Sequence, residues 1–463
     1  MEAKDLNGLV CVYSGEHTAR YSKGKYIVDE GDASIAYNQY HKPCSLETFM
    51  DLWVKAGERL AKGAYSGKYQ VGNHQEHNIH VHLEATWEAH TLFAEHLFLP
   101  NKDTPMENWS LRCVPDFKPS DDMPVFIGIC LSEKKVLILG SGYCGEIKKS
   151  MFSVMNLLLP EQDILSMHCS AVLSPKGDTS LLLGLSGTGK TTLSSSPFFQ
   201  LIGDDEHAWS DEGIFNLEGG CYAKTINLTN EAEPEIYQAL VPPAILENTI
   251  LNNGVADFYD ASITENLRAA YPLSHIPNAY TGIAPHPKDI IFLCCDLHGV
   301  IPAVSWLTPK QAVDYYMLGY TAKIGATEVG VNSIQSVTSP LFGQPFFGKK
   351  LAIYRNLFEQ KLKQHTPRVW LVNTGWGAGG YQGGKRMPLA DTRQIIHAIT
   401  SGNVHFDSLK IHPILKLRYL EKIEGVSSEL SLPLEWIQSP AFYNAASKLQ
   451  QSFQAVLDEQ TTD

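Results

Sequence analysis

Residues 184–191 read Gly-Leu-Ser-Gly-Thr-Gly-Lys-Thr, and no other stretch constrains this chain as tightly. The pattern G-x-x-x-x-G-K-[ST] describes a loop whose backbone N–H groups wrap a polyphosphate. Gly184, Leu185, Ser186, Gly187, Thr188 and Gly189 supply the cradle. Lys190 reaches the outer phosphates, the Thr191 hydroxyl holds a phosphate-bound Mg²⁺, and Thr192 continues the nucleotide face. Thr179–Leu183 reads as a buried strand entering the loop, and Thr191–Ser194 opens a helix.

The segment after the loop is unusual. Proline breaks a helix interior, so Pro197 stops the helix almost at once. Leu201-Ile-Gly-Asp-Asp-Glu-His207 then brings two aspartates straight back toward the phosphates. A parallel crossover needs about a dozen residues, so the short return predicts a tight, antiparallel arrangement. An acidic turn with no further role is the alternative to a metal–triphosphate site at Asp204 and Asp205.

The chain's 463 residues are enough for two or three domains. A formal net charge of −13 argues against a general nucleic-acid binder. There is no apolar run of membrane-span length and no secretory signal at Met1-Glu-Ala-Lys-Asp5. Nine cysteines without a C-x-x-C pair fit reduced, buried thiols in a cytoplasmic protein. Residues 1–160 mix short strands (Leu9–Tyr13, Val136–Leu139) with a helix over Leu46–Leu60, and are taken as an N-terminal, substrate-side α/β domain. Residues 161–463 are taken as the nucleotide- and metal-binding domain, with a buried strand at Ile290–Cys294. Pro309–Tyr320 reads as a helix capped by Thr308, and Arg393–Thr400 as another. The last dozen residues are polar and are expected to fray.

Several segments have plain alternatives when read singly. Adjacent lysines, as at Lys148 and Lys149, usually mark a solvated face. His168 in Ser166-Met-His-Cys-Ser170 could be a satisfied core residue, and Glu218-Gly-Gly-Cys-Tyr-Ala-Lys224 a hairpin. Thr264-Glu-Asn-Leu-Arg268 and Asn373-Thr-Gly-Trp376 could be loop chemistry alone.

Together they form a set. Gly145-Glu-Ile-Lys-Lys149, Ser166-Met-His-Cys-Ser-Ala171, the phosphate loop, Leu201–His207, Phe215–Thr225, Glu231–Tyr237, Thr264–Arg268, Gly319–Lys323, Asn373–Trp376, Gly384-Lys-Arg386 and Asp391-Thr-Arg393 run in order over roughly residues 140–400. In this the chain resembles the ATP-type phosphoenolpyruvate carboxykinase family. The resemblance implies an α/β, two-domain fold with a mixed-sheet P-loop domain and the active site in a cleft. It implies conversion of oxaloacetate and ATP to phosphoenolpyruvate, ADP and CO₂, a step of gluconeogenesis. Its cofactors would be ATP, Mg²⁺ travelling with it, and a Mn²⁺ bridging the enolate and the γ-phosphate. Its partner would be a small acid, with no nucleic acid or membrane, in a monomer or small homo-oligomer.

By the same resemblance, Lys149, His168 and Asp205 would ligate Mn²⁺, with Lys149 as a neutral amine beside Lys148. Lys190 and Thr191 would serve the phosphates and Mg²⁺, and Ser186 would lie where phosphate meets substrate. Arg268 would bridge the two, a guanidinium fork suiting both groups. Glu233, Arg386, Met387 and Thr392 would border the nucleotide. Tyr143 would stack near the departing CO₂ or the enolate, and Arg20 would grip a substrate carboxylate. Ala326–Gly343 falls at the family's mobile loop, a candidate lid.

The departures gather at the substrate end. The family's T-G-R-S-P-K-D-K is here Thr18-Ala-Arg-Tyr-Ser-Lys-Gly-Lys25. The region between Asp116 and Val136 is shortened. Ile79-His-Val-His-Leu83 replaces an arginine-bearing strand, and Thr327-Glu-Val329 the lid's T-E-R. His80 and His82 are either a polar strand face or part of an altered substrate pocket. Two other functions fit the same residues: a diverged kinase acting on another small carboxylic acid, and a non-catalytic ATP sensor. The sensor would be expected to lose Lys148, Lys149, His168 or Arg268, and all four are present.

Overall fold

Leu46–Leu60 forms the helix its spacing predicts, burying Phe49, Leu52, Trp53, Ala56 and Leu60, with the Ser45 hydroxyl accepting the Thr48 N–H. The helix Pro309–Leu318 carries a full capping box between Thr308 and Gln311, and ends where Gly319 turns left-handed. The computed structural model describes residues 2–101, 108–323, 335–406 and 409–461. Among them lie three main sheets. An eight-stranded sheet uses strands between Lys25 and Leu139, and a ten-stranded mixed sheet uses strands between Leu165 and Tyr419. A five-stranded sheet joins Glu2–Lys4 and Val10–Val12 to Ile245–Glu247, Arg268–Pro272 and Gly220–Lys224. No described helix is long and apolar enough to cross a membrane. All nine cysteines are free, and all but Cys44 are buried.

The ten-stranded sheet positions the phosphate loop. Thr179–Leu183 is fully buried, antiparallel to Leu165–Leu173 and parallel to Pro287–Cys294. The helix after the loop, Lys190–Ser194, ends before Pro197 as expected. Gln200–Gly203 and Glu206–Trp209 then pair antiparallel with Leu165–Leu173 as two halves of one return strand. That return is antiparallel to its bonded neighbour but runs in the same direction as the loop strand, because Leu165–Leu173 lies between them and opposes both. The expected tight antiparallel return is thus corrected: residues 184–199 supply the length a parallel crossover needs. The direction has a chemical consequence. Two strands running the same way bring their carboxyl ends together, and those ends carry the phosphate loop and Asp204-Asp205.

The return strand is interrupted where the aspartates sit. Its pairing with Leu165–Leu173 slips between Ala171 and Val172, and the Ser170 hydroxyl donates to the Asp204 carbonyl. Gly203 packs so closely on Asn216 and His207 that a β-carbon would collide with both.

The C-terminal segment differs from expectation. Pro440–Thr461 is one continuous helix. Phe442, Ala446, Leu449 and Phe453 recur on one face and are buried, and the Phe453 ring lies 4.9 Å from that of Tyr320. Four well-spaced apolar residues hold a helix that its overall polarity conceals.

Candidate active site

The lysine pair is not a solvated face. Gly145–Leu158 is a helix whose residues 145–157 are all buried, and Lys148 and Lys149 are 2% and 7% exposed. Lys148 Nζ meets Glu218 Oε1 at 2.7 Å and Asp205 Oδ2 at 3.1 Å. Burial opposes its charge, but Asp205, Glu218, Glu206 and Asp204 outweigh it and hold its pKa well above the usual lysine value. Lys149 Nζ lies 2.5 Å from Asp205 Oδ2 and 2.9 Å from Glu206 Oε1. Removing one partner of a buried pair leaves the other charge uncompensated, at a cost of about 3–5 kcal/mol. Lys148→Met is therefore expected to lower the free energy of unfolding by that order, read as a fall in the urea midpoint. A midpoint unchanged from wild type would contradict the pairing.

Asp205 is the hub. Besides both lysines, its Oδ1 lies 2.6 Å from Lys190 Nζ and 2.9 Å from His168 Nε2. Burial disfavours its charge, yet His168, Lys148, Lys149 and Lys190 together hold its pKa well below the usual range. His168 Nδ1–H donates to the Phe342 carbonyl at 2.7 Å, which leaves Nε2 with a lone pair facing Asp205 and Lys190. Burial first, then the neighbouring lysines, push His168 down to about 3. A neutral imidazole presenting Nε2, a carboxylate and an amine within 3 Å of that carboxylate form a donor set that fits a divalent ion.

Three further carboxylates close this centre: Asp204, which the sequence already set beside Asp205 as a candidate metal–triphosphate site, and Glu206 and Glu218, to which sequence reasoning assigned no role as ligands. Asp205, Glu206 and Glu218 bring oxygens within 4.8 Å of one another. Burial raises both Glu206 and Glu218, the latter well above the usual range. Asp204 Oδ1 is buried without a hydrogen-bond partner among the described residues, and the carboxyl lies beside the Thr191 side chain. Glu206 and Glu218 stand within motifs read from the sequence, but only their burial against Lys148 and Lys149 marks them.

The phosphate loop has the backbone its pattern requires. Gly187 and Gly189 take φ of 88° and 89°, a left-handed region open to glycine. The Thr188 hydroxyl donates to the Leu185 carbonyl at 2.7 Å, tightening the turn. Gly184 packs on Leu293 below it. Ser186 is exposed at the tip of the loop. The Thr192 hydroxyl donates to Glu233. Arg386 Nε donates to the Thr374 carbonyl at 3.3 Å, the Met387 N–H to the Gly375 carbonyl at 2.9 Å, and the Thr392 hydroxyl to the Pro388 carbonyl at 3.1 Å. These three are ordered within their own loop and helix rather than against the phosphate loop.

Arg20 lies 4.7 Å over the Phe346 ring, which also carries Lys149 at 4.5 Å and Lys25 at 4.7 Å. Phe346 was not legible as a site residue. Tyr143 is buried, its hydroxyl accepting from Asn266 Nδ2 at 3.4 Å. Arg268 Nε donates to Asn266 Oδ1 at 3.0 Å, and its guanidinium lies 5.5 Å from the Tyr222 ring centroid. Neither Arg20 nor Arg268 has a carboxylate within ion-pair distance among the described residues. Tyr21 donates its N–H to Glu146 Oε1 at 2.7 Å, and its ring lies so close over Gly24 that a β-carbon there would touch it. Tyr21 and Gly24, both departures from the family pattern, are therefore a matched pair.

His80 lies in the strand Ile79–Ala85 and bonds Asn101, while His82 shares a half-exposed face with Glu84, which pairs with Arg112 at 2.9 Å. Of the candidate lid, residues 326–334 lie outside the described residues. Its described end, Gln335–Thr338, pairs antiparallel with Tyr320–Lys323.

A phosphate loop whose lysine shares one aspartate with a histidine and a second lysine, together with two arginines that have no ion pair among the described residues, defines a metal-assisted phosphoryl-transfer site for a small anionic substrate. A model of the family described as phosphoenolpyruvate carboxykinase matches residues 2–429. The chain is 41% identical over 465 residues to phosphoenolpyruvate carboxykinase (ATP) of Bacillus cereus strain AH187, covering 97% of this chain and 88% of the relative. The same figures hold for the enzyme of that name from Bacillus thuringiensis subsp. konkukian strain 97-27. The chain belongs to the phosphoenolpyruvate carboxykinase family, and its mixed α/β architecture agrees with that membership.

Proposed function

We infer that this chain converts oxaloacetate and ATP to phosphoenolpyruvate, ADP and CO₂. The observation that carries the reading is the convergence of Lys149, His168 and Lys190 on the one carboxylate of Asp205, beside a phosphate loop. In the reaction, the bond to the departing carboxyl breaks and its electrons form the enolate of pyruvate. The enolate oxygen then attacks the γ-phosphorus, and ADP leaves.

Arg20 holds a substrate carboxylate, a role supported by a guanidinium fixed on Phe346 with no ion-pair partner among the described residues. Arg268 spans the substrate and the transferring phosphoryl group, and buried Tyr143 covers the enolate from water. Lys190 turns from Asp205 toward the β- and γ-phosphates, and Ser186 closes over them. Glu233, Arg386, Met387 and Thr392 border the nucleotide. Lys149, His168 and Asp205 would hold Mn²⁺, and Thr191, with the unpartnered Asp204 Oδ1 nearby, would hold the Mg²⁺ of the nucleotide. Mn²⁺ there would neutralise charge on the enolate and γ-phosphate oxygens. The division into residues 1–160 on the substrate side and 161–463 on the nucleotide side, a cytoplasmic location and a monomer or small homo-oligomer belong to the same reading. The free cysteines support the location.

A second reading, a related acid as preferred substrate, is favoured by one observation: the Tyr21–Gly24 pair beside Arg20. A panel of small keto and dicarboxylic acids with ATP, Mg²⁺ and Mn²⁺ tests both. Phosphoenolpyruvate formed from oxaloacetate faster than any product from its analogues is the expected result. Faster turnover of another acid would transfer the assignment to that acid, and ATP binding without turnover of any would overturn both.

A further inference from the structure

We propose that Glu247 is a positioning residue for this reaction, its one carboxylate fixing both the start of the lysine helix and the aromatic seat of Arg268. The proposal rests on the inferred carboxykinase function. Glu247 is 1% exposed, at the end of the strand Ile245–Glu247, directly opposite Arg268 in the sheet. Its Oε1 accepts the Cys144 N–H at 2.9 Å, and its Oε2 accepts the Tyr222 hydroxyl.

Both donors lead to the site. Cys144 is the residue before the helix Gly145–Leu158, and no side chain of its own caps that helix. N–H groups at a helix start have no acceptor within the helix, so a buried one needs an external partner. Fixing Cys144 fixes Tyr143 on one side and the turn carrying Lys148 and Lys149 on the other. The Tyr222 ring lies 5.5 Å from the Arg268 guanidinium and 6.1 Å from the Tyr143 ring. Asn266 closes the circuit, accepting from Arg268 Nε at 3.0 Å and donating to the Tyr143 hydroxyl at 3.4 Å. Three groups assigned to the chemistry therefore take their positions from one acceptor behind them. Burial pushes the Glu247 carboxyl up to about 7, so a carboxyl here is costly and the two donors offset that cost.

The test is a variant series read by steady-state kinetics on the acid that wild type turns over best. It is also read by oxalate binding to the protein loaded with Mg²⁺ and ATP, which needs no turnover. Outer partners of this kind are worth about 10- to 100-fold. Glu247→Ala is expected to lower kcat about 100-fold and weaken oxalate about tenfold, with the KM for ATP within about twofold of wild type. Glu247→Gln keeps an acceptor for Cys144 and a polar partner for Tyr222, and should recover about tenfold of the lost kcat. Tyr222→Phe keeps the ring and should lose about tenfold, and the double variant Glu247→Ala/Tyr222→Phe should lose no more than Glu247→Ala alone. If Glu247→Ala does not fold, Glu247→Gln and Tyr222→Phe carry the test through the oxalate and kcat readouts. Glu247→Ala close to wild type, Glu247→Gln no better than alanine, equal loss of ATP affinity, or effects that multiply would overturn the proposal. Wild type inactive on every acid would overturn the inferred function instead, while oxalate binding would still decide the role of Glu247.

Discussion

Replacing Lys149 with alanine is expected to lower kcat roughly 10³-fold while ATP affinity stays within about twofold of wild type. The expectation rests on where the amine stands. Lys149 projects from the buried helix onto Asp205 at 2.5 Å and Glu206 at 2.9 Å, on the side of Asp205 away from the phosphate-loop lysine. Lys190 reaches the other oxygen, Asp205 Oδ1, at 2.6 Å, and the loop's own hydrogen bonds do not involve Lys149. Under the proposed assignment, losing the amine removes a ligand on the substrate and metal side of the hub and leaves the nucleotide cradle intact. Lys148, 3.1 Å from Asp205, cannot take its place, because Glu218 holds it at 2.7 Å. Equal loss of turnover and ATP binding, or a kcat within about tenfold of wild type, would contradict the assignment.

The largest effect is expected at Arg268. A guanidinium on a transferring phosphoryl group is worth about 10³–10⁵ in kcat, and Arg268→Ala should fall in that range with ATP binding retained. Arg268 is half-buried, held by Asn266 at 3.0 Å, and has no carboxylate partner among the described residues. Burial works against its charge, but Tyr143, Tyr222, Asp205 and Glu247 keep its pKa raised. A charged fork maintained in that field and left unpaired is arranged for an anion. Arg268→Lys keeps the charge but not the planar fork, and should recover only a small part of the loss. Full recovery by lysine would mean that Arg268 acts as a point charge and does not span two groups. Measuring kcat and nucleotide affinity separately decides between these outcomes.

Local motifs carried much of this site in the sequence. The phosphate loop, the aspartate pair and the capped helix Pro309–Leu318 are each written within a dozen residues, where spacing maps directly onto backbone geometry. The family resemblance added Lys149, His168 and Arg268, whose residue types alone would have passed for a solvated face, a core histidine and a loop. The return strand showed the limit of local reasoning. Its pairing partner, Leu165–Leu173, precedes the loop, so its direction relative to Thr179–Leu183 could not be read from the connecting residues. Glu218, Phe346 and Glu247 were not legible because each acts on residues far away in sequence. Glu247 meets Cys144 across 103 positions, and Asn156 reaches the Phe346 carbonyl across 190. The C-terminal helix was missed for another reason: composition averaged away a stripe that begins at Phe442 and ends at Phe453.

The central claim is that the acceptor of the phosphoryl group is the enolate left by decarboxylation. Incubation with oxaloacetate, Mg²⁺, Mn²⁺ and ATP labelled in its γ-phosphate tests it most directly. Label is expected in phosphoenolpyruvate, with one ADP and one CO₂ released for each molecule formed. Label recovered only as inorganic phosphate, or CO₂ released with pyruvate and no labelled organic product, would contradict it.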